Sequence, residues 1–95
     1  MTARRVDERP HFLASLRRAG IQAHSSQSAA IIATVRILAS AEILPGPFDY
    51  EVLIPPVQRA WVRRVASHNL WLYYRVRGDV VHLLIVTRDP PVPVD

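Results

Sequence analysis

The feature that most constrains this chain is the pair of segments flanking Gly78-Asp79. In LWLYYRVR (70–77), Leu70, Leu72, Tyr74 and Val76 fall on one side, and Trp71, Tyr73, Arg75 and Arg77 on the other. That period of two is the signature of a strand with two different faces. Glycine first in a two-residue link predicts a type II′ turn, whose twist suits a hairpin. The return segment VVHLLIVT (80–87) is apolar on both faces, which predicts a central position in a sheet. Residues 60–66 (AWVRRVA) add a third antiparallel strand; Tyr50–Ile54 is the one stretch of the preceding proline-rich connection able to form a brief strand. Residues 3–6 predict a short edge strand.

The first half of the chain reads as helix. Asp7 is the expected N-cap of a helix over 9–19, with Pro10 in its first turn, where a missing N–H costs nothing. Phe12, Leu13 and Leu16 form its inner face, Arg17 and Arg18 suit the negative end of its dipole, and Gly20 ends it. His24-Ser25-Ser26 opens a second helix over 26–42, with either serine as cap and Ile31, Val35 and Leu38 as its stripe. Prolines break the connection 43–58, which Leu44, Phe48, Val52 and Ile54 should pin to the core. The tail 89–95 (DPPVPVD) is expected to be extended. The order predicts a single α+β domain over 1–95, with an N-terminal helical hairpin packed on one face of a small, mainly antiparallel sheet.

Composition excludes several classes of function. With no cysteine there is no thiolate chemistry, and the four histidines lack ligand spacing, so no metal is expected. Three glycines leave no P-loop or dinucleotide fingerprint, there is no GxSxG, and no cofactor or small-molecule substrate is implied. Arg77-Gly78-Asp79 is read as turn chemistry. No apolar run of membrane-spanning length and no apolar segment behind the charged start are visible, so the expected location is cytoplasmic, off the membrane.

Charge points toward a partner. All twelve basic residues are arginine, against eight acids, a net +4. Five lie between residues 59 and 77, where there is no acid: Arg59, Arg63, Arg64, Arg75 and Arg77. Trp61, Trp71, Tyr73 and Tyr74 interleave with them. Guanidinium suits phosphate and aromatic faces suit bases, so Arg59, Arg63, Arg75, Arg77, Trp71 and Tyr73 are candidate nucleic-acid-binding residues. A solvated sheet face, with arginine stems laid over aromatic rings, is the competing reading.

The pattern also resembles the RelE/ParE toxin superfamily. The likeness rests on Val6-Asp-Glu-Arg9 leading into Phe12-Leu-Ala-Ser-Leu-Arg-Arg18, on Trp61-Val-Arg-Arg-Val65, a turn at Ser67–Asn69, Leu70-Trp-Leu-Tyr-Tyr-Arg-Val76, Gly78-Asp79, Val80–Thr87 and the basic exit Arg88. It spans about residues 3–88 without an invariant signature. The resemblance implies helices against a four-stranded antiparallel sheet, and the toxin half of a type II toxin–antitoxin pair with a cognate antitoxin partner. RelE-type members are implied to inhibit translation as ribosome-dependent endoribonucleases that cut mRNA. By position, Arg64 and Arg88 match basic residues that stabilise phosphate charge, and His68 is the nearby acid/base candidate. The usual Tyr-Arg start is Leu70-Trp71 here, and no C-terminal tyrosine or histidine is present. These departures leave open a non-enzymatic ParE-like toxin that binds DNA gyrase, an inactivated toxin fold, or a plain RNA-binding or other nucleic-acid-binding module.

Overall fold

The computed structural model describes residues 3–54 and 58–91. Its elements are β1 (Arg5–Glu8), α1 (Pro10–Arg18), α2 (Ser26–Ser40), β2 (Tyr50–Ile54), β3 (Gln58–Arg64), β4 (Trp71–Arg77) and β5 (Val80–Thr87). The fold is α+β: two helices and one five-stranded mixed sheet in the order β1-β5-β4-β3-β2. β2 to β5 form an antiparallel meander, and β1 lies parallel to β5. The sheet is mainly antiparallel, as expected, but it has five strands and one parallel pair, because β1 and β5 are joined by a crossover that carries everything else in the chain. Such a connection returns a strand in the same direction, whereas a tight turn reverses it.

β5 is interior, between β1 and β4, as its two apolar faces required. Gly78 has φ +58 and Asp79 lies outside the left-handed region, the sign pattern of a type II′ turn. The helix ends follow local rules. Gly20 (φ +73) closes α1 in a Schellman motif, with Gly20 N–H on the Arg17 carbonyl and Ile21 N–H on that of Leu16. Ser25 caps α2 by accepting the Ser28 N–H at 3.1 Å. Asp7 is not a helix cap. The residue before α1 is Arg9, which makes no side-chain cap, and Asp7 sits on β1. The helices do not form a clear hairpin: α1 packs on β5, while α2 leans on β1.

One face of the sheet meets both helices. Phe12, Ile31 and Leu38 bury there against Leu72, Tyr74, Val81, Leu83 and Val86. Leu13 points outward instead. The opposite face has its own smaller core of Val52, Ala60, Val62 and Tyr73, flanked by Tyr50, Trp71, Leu84 and Ile85. Phe48, expected to pin the connection to the core, is 82% exposed. The connection is anchored by a polar residue, Asp49, as described below. Ile54's side chain and most of the tail, residues 92–95, lie outside the description.

Candidate functional site

Strand pairing decides which arginines share a face. β4 alternates, so Trp71, Tyr73, Arg75 and Arg77 all lie opposite the helices. Arg64 pairs with Trp71, and Trp71 with Thr87, forming one cross-strand row at the end of the sheet. Arg75 pairs with His82, and His82 with Asp7, forming a second row nearer the other end. A register shift in the β4–β5 ladder makes the rows face the same way. Tyr73 faces Ile85 while Tyr74 faces Leu83, which leaves Leu84 as an extra residue.

The basic stretch is therefore split. At one end lie Arg64, the turn residue His68 and Trp71; Arg88, one step past Thr87, turns to the helix side of that end, where it meets Ala19 and Gln27. At the other lie Arg75, Arg77 and His82. Between them runs the small apolar core. Tyr73 belongs to that core and is only 9% exposed, so its ring offers little surface for stacking a base. Burial also pushes its hydroxyl pKa upward, with Tyr50 and Asp89 adding to the shift. Trp71 is half-buried.

The arginines sort by what they donate to. Arg63 lies on the helix side, 13% exposed, and makes a bidentate pair with the fully buried Asp49 side chain at 2.5 and 2.9 Å. Tyr74 Oη also donates to Asp49, and so does the Gly46 N–H at 2.8 Å. Arg59 pairs with Glu51 at 2.9 Å. A carboxylate thus balances both charges, and Arg63 does not belong to the exposed basic face on which the sequence reading set it. Among the described residues, Arg64, Arg75 and Arg88 donate only to neutral acceptors. Arg64 reaches the His68 carbonyl at 3.3 Å and Asn69 Oδ1 at 3.2 Å. Arg75 reaches the Arg59 carbonyl at 2.9 Å. Arg88 reaches the Ala19 carbonyl at 2.8 Å, at the C-terminal end of α1, and Gln27 Oε1 at 3.2 Å. Arg77 has no polar partner among the described residues.

A guanidinium carries five N–H donors. One or two bonds to neutral oxygens orient it, leave at least three donors free and leave its charge uncompensated. Arg64, Arg75 and Arg88 are in this sense aimed and undercharged by their surroundings, which suits an incoming phosphate. The sequence could not show this difference between Arg63 and Arg64, because it depends on which face Asp49 reaches. His68 is half-buried in the β3–β4 turn, and its ring has no hydrogen-bond partner among the described residues.

One further group was not visible in the sequence. His82 Nδ1 lies 2.8 Å from Asp7 Oδ2, across the β1–β5 pair. That bond is the main reason the Asp7 carboxyl is held below its usual value, with Arg9 at 3.4 Å contributing. Among the described residues, no cluster of three or more metal-ligating side chains occurs, and no helix is long and apolar enough to cross a membrane. Comparison with protein-family models, with curated proteins and with solved structures finds no match to this chain.

Proposed function

We propose that the chain is the toxin half of a type II toxin–antitoxin pair, RelE/ParE-like, and that it inhibits translation by gripping and cutting ribosome-bound mRNA on the helix-free face of its sheet. The observation that carries this reading is the set of arginines held by neutral acceptors. Arg64 stands beside Trp71 at one end of this face and Arg75 at the other, with Arg77 two positions further on; Arg88, of the same kind, lies on the helix side of the same end as Arg64, against Ala19 and Gln27. Along β4, Trp71 and Arg77 are six residue steps apart, about 20 Å at strand spacing, so one extended nucleic-acid strand can lie across both groups. A cognate antitoxin would silence the protein by covering this face with an acidic segment.

The test is inducible expression in a host without the antitoxin, followed by pulse-labelling of protein synthesis and primer extension on cellular mRNA. Prompt translation arrest with new mRNA ends supports the reading, and arrest without cut sites overturns the nuclease part. A second reading has one observation behind it. The His68 ring has no hydrogen-bond partner among the described residues, so the matched positions do not by themselves make an acid/base centre. That favours a non-enzymatic toxin directed at DNA gyrase, which would show replication arrest with translation intact.

A further inference from the structure

The Asp7–His82 pair is not used by any of the matched positions, and its geometry is that of an oriented base. The Asp7 carboxylate accepts from Nδ1 at 2.8 Å, and the bond assigns the Nδ1–H tautomer. The other ring nitrogen, Nε2, has no partner among the described residues, and a neutral imidazole held this way can take up a proton there. His82 is partly exposed, at 20% of its side chain, and Asp7 at 43%, so both can be reached from outside. Arg75 is the cross-strand neighbour of His82 on the other side. Directly opposed side chains on a sheet begin about 4.5–5.5 Å apart at Cβ, within reach of one phosphodiester group. Arg75 has no carboxylate partner among the described residues; its one bond, from Nε to the Arg59 carbonyl, lies on the β3 side, so a phosphate at His82 has to draw the guanidinium across β4 by breaking that single neutral bond. The charged groups around His82 are Asp7, Arg5 and Arg9 from the β1 side and Arg75 and Arg77 from β4. Arg9 backs Asp7, and Arg5 lies 3.9 Å from Asp79 on the surface.

We propose that Asp7, His82 and Arg75 form a phosphodiester-cleaving centre for single-stranded RNA on the helix-free face. The inference rests on the RNA-gripping reading above and places the chemistry at a site which that reading does not name. His82 Nε2 removes the proton from a ribose 2′-OH. The 2′-oxygen bonds to the adjacent phosphorus, Arg75 stabilises the charge on the non-bridging oxygens, and the P–O5′ bond breaks. The 5′-oxygen leaves with a proton from water, giving a 2′,3′-cyclic phosphate and a 5′-hydroxyl. Asp7 acts through His82 and is a positioning residue. The requirement for a 2′-OH makes RNA the substrate and DNA of the same sequence a ligand that is not cut.

The experiment uses the purified full chain with end-labelled RNA, free and on programmed ribosomes, and with the matching DNA. Binding and cleavage are measured separately. The expected result is RNA cut to cyclic-phosphate ends and DNA bound but intact. His82→Ala should lose cleavage with Kd unchanged and regain it in added imidazole. Arg75→Ala should slow turnover about 100- to 1000-fold, as loss of a charge-stabilising donor does. Asp7→Asn keeps a hydrogen-bonding side chain on β1 and should lower kcat by at least about 100-fold with KM nearly unchanged. RNA bound but never cut, or His82→Ala cutting at the wild-type rate, overturns this centre and leaves the binding face standing. No binding of RNA in either form overturns both.

Discussion

The Tyr74 hydroxyl donates to the Asp49 carboxylate, joining the centre of β4 to the connection before β2. Arg63 closes the same carboxylate from β3, and the Gly46 N–H closes it from the loop. The Asp49 side chain is fully buried, so its charge is tolerated only because all of these donors converge on it. The proline-rich connection is ordered by this junction, with exposed Phe48 taking no part.

Breaking that junction from either side should cost unequal amounts. Asp49→Ala leaves Arg63 buried without a counter-charge and should destabilise by about 3–5 kcal/mol. Tyr74→Phe removes one donor and should cost about 1–3 kcal/mol. Gly46→Ala should fall in a similar range of about 1–3 kcal/mol, because a Cβ there would stand 2.5 Å from Arg63 Nη2 and push the guanidinium off Asp49. Urea denaturation of the three variants checks the order.

Alkaline pH should weaken the same site. Burial first, and the bond to Asp49 second, push the Tyr74 pKa well above the usual 10.0. A group whose pKa is raised on folding adds stability that is fully present below its unfolded value and is lost as pH climbs above it. Stability should therefore fall from about pH 10 upward, and Tyr74→Phe should flatten that part of the curve. Thermal melts across the alkaline range provide the measurement.

Acid should act on β1. The bond from His82, aided by Arg9, lowers the Asp7 pKa below 3.8. A lowered carboxyl pKa adds stability present above the unfolded value and lost as pH falls through the folded one. Attachment of β1 to β5 should loosen below the ordinary carboxylate range, and Asp7→Asn should remove that acid limb. Amide exchange at β1, measured between pH 5 and 3, would show it, roughly bracketing the unperturbed value.

Ser15 should matter more than its size suggests. β1 ends at Glu8, opposite Leu83, so beyond that point no strand among the described residues pairs with β5 on that side. Ser15 Oγ accepts the Val86 N–H there at 2.9 Å, inside the core, and donates to the Phe12 carbonyl at 2.6 Å. Ser15→Ala leaves a buried N–H unpaired and should cost about 1–3 kcal/mol, with faster exchange at Val86 than elsewhere in β5.

Much of the fold was legible in local signals. The 70–77 alternation, Gly78 in its turn, the Ser25 cap and the Gly20 stop each depend on a few neighbouring residues, and each appears in the structure. β5 was legible as interior because a strand apolar on both faces must be covered on both. The candidate site was less legible. Simple alternation along 80–87 puts His82 on the face of Val86 and apart from Thr87. The extra residue at Leu84 reverses that parity and sets His82, Ile85 and Thr87 on one face.

By itself, the sequence determined the identity and order of the elements, because hydrophobic periodicity, turn glycines and caps act over a few residues. Only the tertiary structure decided that β1 runs parallel to β5 and that Asp7 meets His82 rather than capping α1. The same holds for Arg63, which is spent on Asp49 while Arg64, its neighbour in the chain, keeps its charge. These outcomes depend on pairings between residues 14 to 75 positions apart. Which acceptor a guanidinium or an imidazole finds at that range is set by strand register and by the face it occupies, and neither quantity is written in any local window of the chain.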